Sequence, residues 1–262
     1  MTFGGLGVIL RQGSMLAETR RLTAAMTVQP SAARRGLINS TIARLKTAGL
    51  WAKLDALYMM ASHAEQAGRL NWKVPGTWTL GAFNSPVFST DRGFAGDGVA
   101  AYMVANSYNP STAGGSYGLN GAVTGIYVHA IGNVANAYDL FGTNGSLRLQ
   151  LASGAASYTV RVNDGSTLST GASSLAVGHW AARRSSAAAK DVWRNGALQS
   201  GPDASASTSV PTTFALLSTA TGSGNWNNSR LSFAYTAGLL TDAEMVSLNT
   251  ILTNYLRTVG AA

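Results

Sequence analysis

"GHWAARRSSAAAKDVWRNGALQSG", residues 178–201, holds two strand-like runs around a small-residue turn, with Trp180 and Trp193 on its arms and Asn195-Gly196 at its end. An Asn-Gly pair after such a run signals a hairpin, because both residues accept the positive φ of a tight β-turn. Two Trp-bearing arms need a second layer to cover them, so the stretch points to a β-sandwich. In this reading Trp180 and Trp193 fill the space between two sheets. "RRSSAAAK" and "RNGALQSG" form turns at its rim.

The same texture extends from Asn71 to the last quarter of the chain. "GIYVHAIG", "SLRLQLAS", "SYTVRVNDG", "DVWRNG" and "RLSFAYTAG" are short β-like runs set between Gly, Asn-Pro, Asn-Gly and Asp-Gly turns, the pattern of an antiparallel sandwich. Leu147, Leu149 and Leu151 alternate with Arg148 and Gln150, so that strand has one buried face and one wet face. After the last run, "TDAE" at 241–244 is a capping box, and Met245, Leu248, Ile251, Leu252, Tyr255 and Leu256 form the apolar face of a C-terminal helix.

The first seventy residues read differently. Leu37, Ile38, Ile42 and Leu45 recur at helical spacing between a Pro30-Ser31 start and a Gly49 stop. "LWAKLDALYMMASHAEQAG" follows, and Leu50, Trp51, Leu54, Leu57, Tyr58 and Ala61 predict a second helix closed by Gly68. Residues 14–26 predict a short helix through Leu16, Leu22 and Met26, and residues 1–12 an extended Gly-rich arm. The chain is thus expected to divide into an arm and helical attachment segment (1–68) and a sandwich with its C-terminal helix (69–262).

Composition narrows the function classes. Thirty glycines and only 11% charged residues in 262 suit a turn-rich β protein. No apolar run reaches the roughly 18 residues needed to cross a membrane, and "GGLGVIL" is too brief for a secretory h-region, so no leader and no membrane insertion are expected. Cysteine is absent, which removes disulfides, thiolate metal sites and a thiol nucleophile. The formal charge of +8 divides unevenly: residues 1–70 carry nine Lys/Arg against three Asp/Glu, and residues 71–262 ten against eight. A basic excess confined to the helical segment suits a solvated face or an acidic protein partner better than nucleic acid.

The order of the closing hairpin, a last strand and "RLSFAYTAGLLTDAEMVSLNTILTNYL" resembles the end of laminin-G-like and concanavalin A-like domains. "GLWAKLDALYMMASHAEQAGRLNWK", "NSPVFSTDRGFAGDGVAAY" and "YNPSTAGG" resemble a family of tailed-phage and phage-like-particle virion proteins that carry such a domain. The resemblance spans about Leu37 to Leu256. It implies a mainly β fold: an antiparallel concanavalin A-like jelly-roll sandwich with N-terminal helices and a C-terminal helix. It also implies a structural or adhesive virion component, a peripheral fibre, spike or tail element assembled in a host cytoplasm. Its implied partners are other virion proteins, copies of itself and a host cell-surface polysaccharide.

Concanavalin A-like glycosidases work with paired carboxylates about 5 Å apart. Glu18, Glu65 and Glu244 all lie outside the expected sandwich, and Asp91, Asp97, Asp139, Asp164, Asp191 and Asp203 form no D-x-D or D-x-x-D pair. Asp97-Gly98 and Asp164-Gly165 read as turns. His63, on a helix flank, and His129 and His179, on strands, show no zinc spacing, and "GGLG" and "AGDGVA" lack the strand and helix of a phosphate loop. No enzyme activity, metal or cofactor is expected; a glycan-active enzyme and a packing module without ligand are the alternatives. Sugar rings stack on exposed aromatics and pair with polar side chains. Trp226 in "GSGNWNNSR", with Asn225, Asn227 and Asn228, is the foremost glycan-binding candidate, followed by Tyr108 and Tyr117 around "NPSTAGGS". Trp72, Trp78, Trp180 and Trp193 read as core.

Overall fold

Ser31 accepts a hydrogen bond from the Arg34 N–H and so starts the helix that the sequence marks most clearly. The structure, a computed structural model, describes residues 15–132, 138–142, 145–151, 158–169, 177–219 and 222–262; the expected arm lies outside them. The chain begins with α1 (Ala17–Ala24), α2 (Ala32–Thr47), α3 (Leu50–Lys53), β1 (Leu54–Tyr58) and α4 (Glu65–Arg69). It continues through β2 (Leu80–Phe83), β3 (Val87–Ser89), β4 (Gly93–Ala95), β5 (Tyr102–Ala105), β6 (Ala122–Ala130), β7 (Tyr138–Phe141) and β8 (Leu147–Leu151). Then come β9 (Tyr158–Val162), β10 (Leu168–Ser169), β11 (Gly178–Ser186), β12 (Ala189–Arg194), β13 (Ala197–Ala204), β14 (Ala215–Leu216), β15 (Arg230–Gly238) and α5 (Asp242–Thr258).

The strands make two antiparallel sheets. One runs β13-β12-β11-β6-β15-β4-β3, with β1 also on β15; the other runs β10-β9-β8-β7-β14-β5-β2. Period-two alternation sends side chains of β6, β11 and β15 to two cores. Ile126, Val128, Trp180, Leu231 and Ala234 face the second sheet and join Leu140, Leu149, Val160 and Leu216. Tyr127, Ala181, Phe233 and Tyr235 face the other way and meet Leu22, Ile42, Leu45, Leu248 and Leu252 of the helices. The capping box of α5 forms as read: the Thr241 side chain accepts from Glu244 N–H, and Glu244 accepts from Thr241 N–H.

The structure departs from the sequence-based expectations at several places. The second helix, expected over 50–68, is a short turn of helix, a strand and another turn of helix. Its centre is apolar on both faces, with Ala56, Tyr58 and Met60 in the inter-sheet core and Leu57, Met59 and Ala61 in the helix-side core. Such a run satisfies helical and strand templates alike, and pairing with β15 decides it. His63 accordingly lies in the bend before α4. The division at 68/69 passes between a strand and its own sheet, and Tyr58 bridges to Asn71 across it.

The opening hairpin is also rearranged. Trp180 pairs with Arg194 and Trp193 with Ala181, so the two indoles stand on opposite faces. Trp180 stacks on Tyr158 between the sheets, with ring centroids 4.4 Å apart, whereas Trp193 lies in the helix-side core. Finally, Arg183, Arg184 and Lys190 belong to the strands and are buried, leaving only the short connection between β11 and β12 as the turn. Residues 197–201, likewise expected in a turn, run in β13.

Candidate functional site

The residues nominated from sequence separate into core and surface. Tyr108 is 1% exposed and its hydroxyl meets Thr236 Oγ1 at 2.7 Å; Tyr117 is 5% exposed and donates to Asn163 Oδ1 at 3.0 Å. Both are packing residues with no face for a sugar. Asn227 is fully buried: its amide donates to Asp139 Oδ1 at 2.8 Å, and its oxygen accepts from Ser229 N–H at 2.7 Å. Asn225 is exposed at φ 55°, a conformation Asn tolerates, while Trp226 and Asn228 are half-buried. The Trp226 indole N–H is buried and has no partner among the described residues.

A buried carboxyl anchors this loop. Asp139 is fully buried and receives hydrogen bonds from Tyr158 and Asn227. Burial pushes its pKa up to about 6, and the hydrogen bonds of Tyr158, Ser229 and Asn227 only partly oppose that. Asn227 thus ties the Trp226 loop to β7, which fixes where Trp226 stands.

The surface beside this loop was not legible in the sequence. β2 is the edge strand of its sheet, and Phe83, 41% exposed, stacks on half-buried Tyr102 of β5 with centroids 4.8 Å apart and planes 12° from parallel. At one end of the pair, a Cβ on Gly222 would lie 2.3 Å from the Tyr102 ring, so the Trp226 loop closes onto it. At the other, Gly81 leaves bare backbone between Phe83 and the Asn106 amide, which a Cβ would meet at 3.0 and 2.7 Å. Beyond Gly81 opens a pocket of about 350 Å³ lined by Thr77, Trp78, Thr79, Asn106 and Ser107.

Trp78 is half-buried rather than core. It holds φ 56°, and Ser107 across the pocket holds φ 59°. Positive φ on an aromatic costs about 1–3 kcal/mol and persists only where its surroundings over-determine it. Here the Trp78 carbonyl accepts from the buried Tyr58 hydroxyl at 2.6 Å and its ring packs 4.6 Å from that of Tyr108. Tyr108 therefore contributes indirectly, as the support behind Trp78. The strip from Trp78 through Phe83 and Tyr102 to the loop that carries Trp226 combines aromatic faces with Asn and Thr side chains.

The carboxylates are engaged elsewhere. Glu18, Glu65 and Glu244 pair with Lys46, Arg69 and Lys53. Asp55 accepts from the backbone of Ser116 and Tyr117, Asp91 pairs with Arg34, and Asp97 accepts from three successive N–H groups at 2.8 Å. Asp164 and Asp203 face Lys190, and Asp191 and Asp242 face Arg183. With Asp139, this accounts for all eleven acids. Asp97 holds the turn expected of it; Asp164, expected as a simple turn residue, is a buried ion-pair partner. His63 and His129 bind main-chain carbonyls and His179 sits between Asn249 and Tyr235. Among the described residues no three His, Asp or Glu side chains converge as metal ligands, and no helix is long and apolar enough to cross a membrane.

No family model and no curated protein matches the sequence. Solved structures match by fold. A mutant Trypanosoma rangeli sialidase displaying trans-sialidase activity superposes with a TM-score of 0.57 at 10% identity, over 86% of this chain and 40% of that one. The T. rangeli sialidase in complex with sialic acid gives 0.56 at 12%, over 86% and 39%. The binding domain of botulinum neurotoxin serotype D gives 0.53 at 9%, over 76% and 52%. The chain spans about two fifths to one half of these structures. Its sandwich, with helices at both termini, is of the concanavalin A-like class.

Proposed function

We propose that this chain is a non-enzymatic structural and adhesive component of a phage or phage-like particle, a peripheral fibre, spike or tail element that presents a glycan-binding sandwich. The observation that carries the binding part is the Phe83/Tyr102 stack at a sheet edge, flanked by two Trp-bearing segments. Stacked aromatic faces bordered by Asn and Thr suit the apolar face and equatorial hydroxyls of a sugar ring. The fold supports the same reading, since the similar structures include a sialidase bound to sialic acid and a neurotoxin binding domain. The engagement of every carboxylate in structural contacts favours a binder over a hydrolase. The particle assignment rests on the sequence resemblance, which also supplies the partners: copies of the chain, other virion proteins and host polysaccharide.

A glycan array with the whole chain and with Tyr102→Ala tests the binding part. Hits lost in the variant, without release of reducing sugar by the parent, support a lectin-like role at this edge. Hits that survive Tyr102→Ala overturn the site, and reducing-sugar release overturns the non-enzymatic assignment.

A further inference from the structure

A second cleft lies on the other sheet, between the β12–β13 turn and the second half of α5. It has a volume of about 330 Å³, and Tyr127, Gly178, Asn195, Asn249, Thr253 and Arg257 line it. That volume suits a single sugar ring or a comparable small ligand.

His179, beside the cleft, decides which atoms the cleft offers. It is 3% exposed, and burial lowers its pKa to about 4, so the ring carries one proton at neutral pH. Nδ1 faces Asn249 Oδ1 at 3.1 Å and Nε2 faces the Tyr235 hydroxyl at 2.9 Å. An amide oxygen only accepts, so the ring proton sits on Nδ1 and the Tyr235 O–H donates to Nε2. Asn249 therefore uses its oxygen on the imidazole and keeps its NH₂ for the cleft. The backbone N–H of the same histidine donates to Asn195 Oδ1 at 2.9 Å, which leaves the Asn195 NH₂ free in the same way.

The remaining lining groups have the same polarity. Neither amide NH₂ nor the Tyr127 hydroxyl has a hydrogen-bond partner among the described residues. Thr253 donates its hydroxyl proton to the Asn249 carbonyl at 2.7 Å. Arg257 is exposed, donates to Asn254 Oδ1 at 3.1 Å and forms no ion pair with an acidic side chain among the described residues. Its charge lies near enough to Tyr127 to counter the upward push of burial on that phenol. Two oriented amide donors, a phenol and a guanidinium converge, and none of the lining side chains is acidic.

We propose that this cleft binds the carboxylate of an acidic saccharide, with the Asn195 and Asn249 amides donating to its oxygens and Arg257 supplying the countercharge. The carboxylate follows from the two oriented amide donors and the guanidinium that converge on the cleft, because hydrogen bonds from neutral amides and a guanidinium are strongest to an anion. The saccharide follows from the proposed function and rests on it.

Titration of the isotope-labelled whole chain with glucuronate and with glucose, observed at the side-chain NH₂ signals of Asn and at the aromatic signals, tests this. Glucuronate is expected to move the Asn195 and Asn249 NH₂ signals while glucose leaves them in place. Arg257→Gln and Tyr127→Phe, which remove only the guanidinium and the phenol hydroxyl, are expected to weaken the glucuronate effect, the former by roughly tenfold. Amide signals unmoved by glucuronate, or moved equally by glucose, overturn the proposal. If saccharides move only the Tyr102 and Trp226 signals, the cleft fails and the glycan-binding reading stands; if none moves any signal, both fail.

Discussion

Lys190 and Asp164 meet at 2.7 Å inside the protein, with side chains 0% and 2% exposed. The ammonium also donates to the Ser166 carbonyl and hydroxyl at 2.8 and 2.6 Å, and Arg184, equally buried, donates to Asp164 at 2.6 Å and to the Val162 carbonyl. Burial pushes the Asp164 carboxyl up, but Lys190 and Arg184 outweigh it and hold the group below the usual carboxylate range. The cluster clamps the turn after β9, in one sheet, to the β11–β12 hairpin in the other.

Removing Asp164 strands the buried Arg184 and leaves Lys190 only the more distant Asp203, at 3.5 Å. Asp164→Asn is expected to cost about 3–5 kcal/mol in urea unfolding, the range for breaking a buried pair by deleting one partner. Lys190→Met is expected to cost less, since Arg184 still neutralises Asp164 and a methionine fills much of the same volume. Equal losses in the two variants would contradict this assignment of charge balance.

Two buried groups give opposing pH dependence. The folded pKa of Asp139, about 6, lies above the ordinary value, so the folded state holds the extra proton and stability falls as pH rises from about 4 to about 6. The folded pKa of His179, about 4, lies below its ordinary value of 6.5, so stability falls as pH drops through that window. Asp139→Asn is expected to gain on the order of 3 kcal/mol relative to the parent between pH 4 and pH 7, with the His179 slope exposed. Urea midpoints at a series of pH values measure it, and parallel profiles for parent and variant would rule it out.

A truncation beginning at Leu70 deletes β1 and uncovers the β15 edge from Ala234 to Ala237 together with the apolar face of α5. Open edges and large apolar patches drive association. Size-exclusion chromatography is expected to show aggregate for this truncation and a discrete species for a chain beginning at Met15. A monodisperse, cooperatively melting Leu70 truncation would show that the sandwich needs neither β1 nor the helices.

Trp193 is 5% exposed, donates its indole N–H to Asp191 at 2.7 Å and lies under the Arg183 guanidinium at 4.9 Å. Trp193→Ala is expected to cost about 3–5 kcal/mol, through lost packing and a loosened Arg183–Asp191 pair. Half-buried Trp226→Ala is expected to cost clearly less. Thermal melts of the two variants should separate, and coincident melts would refute the difference.

The sequence by itself determined the strand runs from Gly125 to Gly238, the capped C-terminal helix and the start of α2. Those signals are local: alternation, turn residues and capping side chains act within a few positions, so no distant partner is needed to read them. Tertiary structure alone decided that 54–58 is a strand, because an apolar run buried on two faces carries no period to betray its geometry. It also decided that Tyr108, Tyr117 and Asn227 face inward, that Trp193 lies in the helix-side core, and that Phe83 and Tyr102 adjoin the Trp226 loop. Which face of a strand is buried, and which residues meet across a sheet edge, depends on register and on contacts over 100 residues away in the chain, such as Tyr102 with Gly222. The aromatic strip is therefore a product of pairing, assembled from segments that each read as ordinary turn and strand.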